Sequence, residues 1–309
     1  MDTVAHPADA RSVLILVNPK AGRRSMAAKV EEAAGRLRQE GFWVEIHTGL
    51  AEVAERANQL HAAGELRALV GVGGDGTAAE LVNRTRPGLP LALFPAGTSN
   101  LLARHFAIRP DPEQLCRAVT HGTRRVLDAG CANGRLFLLM LGVGFDADVV
   151  QRVHAHRGKS GSHISFWTYC KPIWRSIRTY QYPEFQIECL ADEGMPEQFA
   201  ARWAFLCNFP RYGWGVKLAP RADAADGLLD LYCFRRGGLF HGLKYVAAIE
   251  LERQERLADC TVRRLRRMRI AASQSVPYQL DGDPGGVLPV EVEVLPGRLT
   301  LIVPEEKVG

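Results

Sequence analysis

Strand signals and helix signals alternate through the first third of the chain, and this alternation constrains the fold more than any other feature. The segment Val13 to Val17 is apolar throughout, which is typical of a strand buried on both faces of a parallel sheet. Further strands are predicted at 42–47, 69–72 and 91–94. Strands and helices in this order predict an α/β domain with a doubly wound parallel sheet.

Helices are predicted between these strands. Ser25 is a candidate cap for the first helix, which would end at Gly41, and residues 51–63 form the second. The third helix opens within 77–83, and a fourth begins near Asn100. The apolar positions that should place the first helix against the sheet are Val30, Ala34 and Leu37.

The pattern changes after about Asp128. Short strand-like segments, many of them separated by turns rich in Gly, Pro and Asp, indicate a β-rich, sandwich-like second domain. We therefore predict one domain over 11–128 and a second over 129–299, with a closing strand at 299–303 that fits either. The strand-like segments of the second domain cover 137–143, 185–189, 203–207, 228–234, 278–280 and 290–294.

Composition and charge restrict the class of protein. With 309 residues, 47% hydrophobic and 24% charged, the chain is typical of a soluble globular protein of one or two domains. The net charge of +5 is too small to indicate nucleic-acid binding. Seven scattered cysteines without a CxxC pair indicate reduced thiols in the cytosol. The first ten residues do not resemble a signal peptide, and the apolar runs are too short to span a bilayer.

The glycine-rich segment 71–77 lies between a predicted strand and a predicted helix. Glycines there let backbone amides approach a phosphate group, and a helix N-terminus favours negative charge. Asp75 in the same loop would repel a phosphate, so its presence suggests a Mg²⁺ ion between the two. A tight strand-to-helix connection explains one such loop equally well.

Two further turns favour the ligand-binding interpretation. Residues 18–22 follow the first predicted strand, and residues 95–100 follow the fourth. All three turns lie at the carboxyl ends of parallel strands, which is the edge where α/β sheets bind ligands. Segment 71–77 also satisfies the dinucleotide pattern GxGxxG, but the expected acidic residue is missing from 91–100, so we discard that interpretation.

An ordered set of short motifs resembles the catalytic family of diacylglycerol kinases and sphingosine kinases. Each motif is weak alone, and the set covers most of the chain in order. The motifs are Asn18-Pro19-x-x-Gly22; Gly73-Gly74-Asp75-Gly76-Thr77 with Glu80 and Asn83; Pro95-x-Gly97-Thr98-x-Asn100 with Ala103-Arg104; Asp128-x-Gly130; Gly144-Phe145-Asp146-Ala147; Lys217-Leu218-Ala219-Pro220; Asp226-Gly227-Leu228-Leu229-Asp230; and Asp281-Gly282-Asp283 before Pro289.

The resemblance implies a fold and a set of cofactors. It implies a nucleotide-binding α/β domain over 11–128, completed by the C-terminal segment 300–309, and a β-rich lipid-substrate domain over 129–299, with the site in the cleft. ATP and Mg²⁺ are the implied cofactors. The residues that should surround the nucleotide are Asn18, Gly22, Thr48, Gly73, Gly74, Gly76, Thr77, Gly97, Thr98 and Asn100.

The same resemblance implies roles for the acidic residues. Asp75 and Asp128 match positions that hold Mg²⁺, so Asp75 is also a candidate catalytic residue. Asp281 matches the general base that takes the proton of the acceptor hydroxyl. The remaining assignments are a structural cation at Asp226 and Asp230, and supporting roles for Glu80 and Asp283.

Three positions depart from the family pattern. Leu101 stands where many members have Asp, so one contribution to the metal network is absent. Leu139 replaces a common Asn, and Asp283 replaces the usual Glu with a side chain shorter by one methylene. The first departure bears on metal geometry, and none of the three removes the glycine turns or Asp281.

Two segments have alternative interpretations. Asp281-Gly282 is also a favoured pair for a two-residue hairpin, and a hairpin turn can present a base. Residues 151–182 contain six Arg or Lys residues, six aromatic residues and no acidic residue, which suits either an anionic membrane surface or a helix with its aromatic face in the core. The arginine-rich run 263–269 is expected to cover an exposed edge or face.

The predicted function is an ATP-dependent kinase that phosphorylates a lipid hydroxyl, with diacylglycerol or a related lipid alcohol as acceptor. A sphingoid base or ceramide is the alternative acceptor, and an NAD kinase-like enzyme or a non-catalytic nucleotide- or lipid-binding regulator are the alternative functions. We expect a cytoplasmic protein, peripheral at the inner face of the membrane. Its expected partners are a lipid substrate at a membrane surface and, as an assembly to be tested, a homodimer, with no nucleic acid.

Overall fold

The computed structural model describes residues 3–4, 10–18, 24–160, 174–176, 178–190, 197–213 and 215–305. The chain divides into two compact units. The first comprises Met1–Asp128 with Pro296–Gly309, and the second comprises Ala129–Leu295. The second unit therefore ends four residues before the position predicted from the sequence.

The first unit contains a parallel sheet. Its elements are β1 (Thr3–Val4), β2 (Ser12–Val17), α1 (Arg24–Gln39), β3 (Trp43–His47), α2 (Leu50–Ala62), β4 (Leu66–Gly73), α3 (Asp75–Arg84), β5 (Pro90–Pro95), α4 (Leu101–His105), α5 (Pro112–His121) and the start of β6 (Thr123–Ala132). The final strand, β19 (Val290–Val303), pairs with β5 through Thr300 and Leu301. The parallel order is β19-β5-β4-β2-β3.

Both faces of this sheet are covered. Val13 and Ile15 of β2 lie in one apolar cluster with residues of α1 and α5, and the alternate residues Leu14 and Leu16 are also buried. Helices α2 and α3 contact each other, α2 contacts β2 and β4, and α3 contacts β4. Successive side chains of a strand point to opposite faces, so the apolar run predicts this double coverage. The predicted doubly wound α/β fold is confirmed.

Helix α1 follows its predicted pattern except at its start. Val30, Ala34 and Leu37 are buried, as predicted. The helix ends where Gly41 takes a φ of +85°, and its amide and that of Phe42 donate to the carbonyls of Arg38 and Leu37 at 3.0 and 3.1 Å. This is the Schellman arrangement that glycine permits. The predicted cap at Ser25 is wrong, because helical geometry already includes Arg24.

The second unit is rich in antiparallel strands. Its elements are the end of β6, β7 (Arg135–Phe137), β8 (Met140–Gly144), α6 (Phe145–Ser160), β9 (Phe185–Leu190), β10 (Glu197–Ala201), β11 (Trp203–Cys207), β12 (Arg211–Tyr212), β13 (Val216–Lys217), β14 (Leu229–Phe234), α7 (Leu239–Glu250), β15 (Cys260–Leu265), β16 (Arg267–Ala271), β17 (Pro277–Leu280), β18 (Asp283–Val287) and the start of β19.

Two antiparallel layers share one core in this unit. One sheet has the order β15-β14-β11-β8-β17-β18, and the other layer runs β10-β9-β16-β19. Leu141, Leu206 and Leu231 of the first layer belong to the same buried cluster as Ile187 and Met268 of the second. Side chains from two facing sheets that interdigitate in this way define a sandwich. The predicted β-rich, sandwich-like unit is confirmed.

Three strand predictions need correction. The segment predicted as one strand at 137–143 is two strands, with a break at Leu138 and Leu139. The segments 290–294 and 299–303 are parts of one strand, β19, which continues through Pro296 and Gly297 although a Pro-Gly pair usually indicates a turn. The arginine-rich run was not predicted as strand, yet it forms β15 and β16, because Leu265, Met268 and Ile270 alternate inward while the arginines are exposed.

Two general observations accompany the fold. Within the described part of the chain, no helix combines the length and the hydrophobicity that crossing a bilayer requires. The six cysteines of that part are all free, and Cys116, Cys207 and Cys233 are buried.

Candidate active site

The glycine-rich turn lies where it was predicted, between β4 and α3. Strand β4 ends at Gly73, and helix α3 begins at Asp75 with Gly74 as its N-cap in an extended conformation. No side chain caps this end of the helix, and the amides of Thr77 and Ala78 are bonded to the Gly74 carbonyl at 3.0 and 3.2 Å. A helix N-terminus of this kind has backbone amides available for an anion.

The turn after β5 touches this first turn through backbone atoms. A Cβ atom added at Gly97 would lie 2.5 Å from the Cα of Gly74, a distance that no side chain tolerates. The amide of Ala96 also donates to the carbonyl of Gly73 at 2.9 Å. The two turns can be this close only because both contact positions are glycine. The sequence prediction that these turns share one edge of the sheet agrees with this contact.

Polar side chains fix the shape of these turns. Asn100 has a φ of +47°, and its side-chain amide both accepts from the Gly97 amide at 3.0 Å and donates to the Gly97 carbonyl at 2.9 Å. Asn18, at the end of β2, donates to the hydroxyl of Thr77 at 3.3 Å. Asn18 thus joins the first turn to the glycine-rich turn, and Asn100 closes the third.

Asp75 connects helix α3 to helix α4. Its two carboxylate oxygens accept the backbone amides of Leu101 and Leu102 at 2.9 and 3.0 Å. Burial raises the pKa of this carboxyl, although the amide bonds act in the opposite direction. Leu101 therefore lacks the carboxylate that many family members have at this position. Its backbone amide nevertheless binds Asp75 and holds that side chain in place.

Asp75 and Asp128 are the residues that the resemblance assigns to Mg²⁺. Asp128 is buried on β6 and accepts the amide of Gly297 at 2.8 Å. Among the described residues, no group of three or more His, Cys, Asp or Glu side chains forms a ready metal site. Each oxygen of Asp75 accepts an amide hydrogen bond from α4, and a carboxylate offers about four lone-pair sites in all. That donor set fits a Mg²⁺ ion which takes most of its ligands from phosphates and water.

The other predicted nucleotide residues are placed as follows. Thr48 and Thr98 are exposed at strand ends, and Gly76 lies in the first turn of α3. Glu80 forms an ion pair with Arg84 one helical turn away. Gly22 lies outside the described residues.

Asp281 and Gly282 form the two-residue turn of a β-hairpin in the second unit. Strands β17 and β18 pair on either side, with Leu280 opposite Asp283. Both turn residues have positive φ, +52° and +87°. Asp-Gly is favoured in such turns because Gly adopts this conformation freely and Asp tolerates it. The hairpin alternative is therefore correct, and it does not conflict with a role for Asp281.

Three consecutive backbone amides bind the Asp281 carboxylate. Leu138 donates to one oxygen at 2.7 Å, and Leu139 and Met140 donate to the other at 2.8 and 2.9 Å. Leu138 and Leu139 form the break between β7 and β8 and Met140 begins β8, so the irregular backbone at the break directs its N–H groups to one carboxylate. Leu139, at a departure from the family pattern, contributes through its amide. The side chain of Asp281 is held in one orientation.

A hydrogen-bonded network beside this hairpin was not predicted from the sequence. The Tyr212 hydroxyl donates to Asp146, whose second oxygen accepts from the Gln279 amide nitrogen at 3.0 Å. The oxygen of the same Gln279 amide accepts the Gly282 amide at 2.7 Å. Protein atoms enclose the carboxylate, and this burial raises the pKa of Asp146 to about 6. The sequence signal that could have indicated this network is the acidic residue Asp146 inside the otherwise apolar motif Gly144–Ala147.

Asp283 and the pair Asp226–Asp230 have protein partners. His154 of helix α6 lies 3.1 Å from Asp283. Asp226 contacts the Arg264 guanidinium, which is also 3.6 Å from the buried Asp230. An arginine thus supplies positive charge at the pair for which a structural cation was suggested, and the cation stays a prediction.

The basic and aromatic segment 151–182 supports neither interpretation as a whole. Residues 161–173 and 177 lie outside the described residues. Tyr182 is buried and stacks on Trp203 with centroids 5.7 Å apart, which agrees with the core interpretation. Trp174 is exposed, and the Arg178 guanidinium lies 4.9 Å from its ring centroid. Membrane binding by this segment stays a prediction.

Gly97→Ala should disrupt the contact between the two glycine turns. The new Cβ would meet Gly74 at 2.5 Å and the Asn100 oxygen at 2.8 Å, so the turns must separate at a cost of about 1–3 kcal/mol. We expect weaker binding of ATP, the ligand that the resemblance implies, measured by calorimetry. Gly35→Ala in α1 is the control, because nothing lies within 4 Å of its added methyl group. Unchanged ATP affinity in Gly97→Ala would contradict the assignment.

The raised pKa of Asp146 predicts a pH dependence of stability. Between the ordinary value of 3.8 and about 6, the folded protein binds a proton that the unfolded chain has released. Protonation of Asp146 therefore contributes most to the free energy of unfolding at acidic pH. This stabilisation, at most about 3 kcal/mol, is lost as the pH rises through 6.

Asp146→Asn should flatten this part of the pH profile, measured by urea unfolding from pH 4 to pH 7. Asp148→Asn, which removes the carboxylate of an ion pair with Arg152 on the same helix, is the control and should leave the slope unchanged. Equal slopes for Asp146→Asn and the unsubstituted protein would show that this carboxyl does not titrate in that range.

Comparisons with known proteins agree with this architecture. Residues 12–132 match the diacylglycerol kinase catalytic domain family, and residues 140–303 match the YegS C-terminal NAD kinase beta sandwich-like domain family. A diacylglycerol kinase from Bacillus subtilis is 27% identical over 300 residues, which cover 95% of this chain and 96% of the relative. A diacylglycerol kinase from Mycobacterium tuberculosis is 26% identical over 301 residues, covering 94% and 95%.

Solved structures share the fold. A putative diacylglycerol kinase from Bacillus anthracis superimposes with a TM-score of 0.74 at 21% identity, covering 96% of each chain. Yeast NADH kinase gives a TM-score of 0.54 at 13% identity, covering 99% of this chain and 90% of that one. The family matches support a phosphotransferase that uses an alcohol group as acceptor. The chain belongs to the family of bacterial-type lipid kinases, in which a diacylglycerol kinase catalytic domain precedes a YegS-type β-sandwich domain.

Proposed function

We propose that the protein transfers the γ-phosphoryl group of ATP, with Mg²⁺, to a hydroxyl of diacylglycerol or a related lipid alcohol. The observation that carries this proposal is the backbone contact between the Gly74 and Gly97 turns beside Asp75. Those turns suit a polyphosphate, and a carboxylate among them suits a divalent cation more than it suits a phosphate alone.

The first unit would bind and orient the nucleotide. Backbone amides of the glycine turns would contact the phosphates, and the bonds made by Asn18 and Asn100 keep those turns in one conformation before the ligand arrives. Mg²⁺ held by Asp75, with Asp128 as a second acidic residue, would offset the charge of the phosphates. Phosphoryl transfer depends mainly on such positioning and charge neutralisation.

The second unit would supply the group that receives the hydroxyl proton. We assign that role to Asp281, whose carboxylate is fixed by the amides of residues 138–140. A carboxylate held in one orientation can accept a hydrogen bond from the acceptor alcohol without first ordering its own side chain. The network from Tyr212 through Asp146 and Gln279 to Gly282 keeps the hairpin in place.

We assign a lipid as the acceptor because relatives of the chain are named diacylglycerol kinase and probable lipid kinase. A sphingoid base or ceramide is the second candidate, because acceptor choice lies in the shape of the second unit's side chains. The NAD kinase alternative has weaker support, because the likeness to yeast NADH kinase is 13% in sequence and concerns the fold. We propose a cytoplasmic enzyme that works at the inner face of the membrane.

Acceptor identity is tested by radiolabelled ATP transfer to diacylglycerol, sphingosine, ceramide and NAD in separate reactions with Mg²⁺. We expect labelled product with diacylglycerol and little with the other three. Reactions without Mg²⁺ give the metal control and should lose activity. Label on NAD would select the soluble kinase alternative, and ATP binding without label on any acceptor would select the non-catalytic regulator.

Asp281→Asn tests the proton acceptor. Asn tolerates the positive φ, so the hairpin should persist, but its amide nitrogen cannot accept a backbone N–H, and we expect a local cost of about 1–3 kcal/mol. Loss of a general base predicts a fall in kcat by about 10²–10⁴-fold. The KM for ATP should stay close to its original value, because the nucleotide site is assigned to the first unit.

Asp283→Asn is the matched control for that experiment. It removes a carboxylate in the same hairpin, one that pairs with His154 rather than with backbone amides. We expect a change in kcat of less than about 10-fold, well below the general-base effect. An unchanged kcat for Asp281→Asn, with the fold verified by thermal unfolding, would exclude Asp281 as the proton acceptor.

A further inference from the structure

Helix α7 exposes an apolar face. Leu239, Phe240, Leu243 and Val246 of this helix are 48%, 76%, 60% and 53% exposed, and Leu251 just after it is 64% exposed. Within the part of the chain that the structure describes, nine large hydrophobic side chains are exposed, and five of them lie in this stretch of 13 residues. Such clustering indicates an interaction surface, because exposed apolar residues on soluble proteins are usually scattered.

The opposite face of α7 packs firmly on the second unit. Tyr245 is fully buried between Phe234 and Trp203, with ring centroids 4.4 and 5.9 Å away. Its hydroxyl donates to Asp259 at 2.8 Å. Gly242 lies against the Trp203 ring, where a Cβ atom would be 3.3 Å away. The helix is therefore anchored on one side and apolar on the other, which is unusual for a helix that faces only water.

Positive charge borders this apolar face. Arg235 and Arg236 are exposed just before the helix, and Lys244 lies at its flank in an ion pair with Asp259 at 3.2 Å. Glu250 is exposed in the last turn of the helix, and the exposed Glu252 just after it is paired with Lys217 at 3.0 Å. Two exposed arginines, one of which donates to the Thr261 hydroxyl at 3.1 Å, thus precede the apolar face, and basic residues beside an apolar helix face are typical of a helix that lies in the plane of an anionic bilayer surface.

We propose that the exposed face of α7 docks the protein on an anionic phospholipid bilayer, with Phe240 and Leu243 inserted among the acyl chains and the arginines at the phosphates. The proposal rests on the proposed function, since a lipid acceptor resides in such a bilayer. The exposed charges of Arg235 and Arg236 favour this occupant over a second copy of the chain, which sedimentation tests. An anionic leaflet complements those charges.

Vesicle flotation with the 309-residue protein tests the docking surface. The vesicles contain phosphatidylcholine alone or phosphatidylcholine with phosphatidylglycerol. We expect binding to the anionic vesicles, and at least tenfold weaker binding for the double variant Phe240→Ser, Leu243→Ser. Both side chains are exposed, so the fold should persist, which circular dichroism verifies. Arg236→Gln should weaken binding to anionic vesicles and leave binding to neutral ones unchanged.

Trp43→Ser is the matched control, because Trp43 is 74% exposed on strand β3 of the first unit. It should bind vesicles like the unsubstituted protein. Equal binding by the double variant would overturn the proposal, and so would equal loss of binding in the control. A double variant that changes the oligomeric state in sedimentation, with vesicle binding unchanged, would assign the face to a second copy of the chain and overturn membrane docking.

A kinase assay separates this proposal from the proposed function. With a short-chain diacylglycerol dispersed in detergent, the double variant should retain the original kcat, whereas with the acceptor in anionic vesicles its rate should fall at least tenfold. Absence of activity on both acceptors in the unsubstituted protein would refute the proposed function and leave the flotation result standing. Equal rates for both proteins on vesicles would refute a role of the docking surface in catalysis at the membrane.

Discussion

Carboxylates that accept backbone amides organise both units of this protein. Asp75 binds the first two amides of helix α4, and Asp281 binds three amides at the break between β7 and β8. Hydrogen bonds to a charged acceptor are roughly twice as strong as neutral ones. Each carboxylate therefore holds a piece of irregular backbone that regular secondary structure cannot stabilise. The residues expected to do chemistry are thus also the residues that shape their own surroundings.

This double role changes how substitutions at such positions should be interpreted. A general base is ordinarily tested by removing its charge while its position is kept. At Asp281 the charge cannot be removed without disturbing the position, because the backbone amides that orient the carboxylate also need it as their acceptor. A drop in turnover is therefore informative only when the stability of the second unit and the affinity for ATP are measured on the same variant.

The sequence predicted the sheet of the first unit well, because a continuous apolar run of strand length is typical of a strand buried on both faces of a parallel sheet. It also predicted that the glycine turns share an edge, and the contact of Gly74 with Gly97 agrees.

The sequence prediction failed where a local structure depends on residues that are distant in the chain. The break at Leu138 and Leu139 is invisible in an apolar run, because its cause is Asp281, more than 140 positions away. Helix α7 was missed because it is apolar on two sides. The network around Asp146 joins three segments that no local pattern connects.

The ion pair between Arg264 and the carboxylates of Asp226 and Asp230 has a consequence for the range of conditions in which the second unit is stable. A dissolved ion occupies its site only in proportion to its concentration, and a chelator removes it. A guanidinium on strand β15 is attached to the chain, so its effective concentration at the pair is set by the fold and never by the medium. Part of the charge balance at this point of the sandwich is therefore encoded in the sequence, and a chelator cannot remove it.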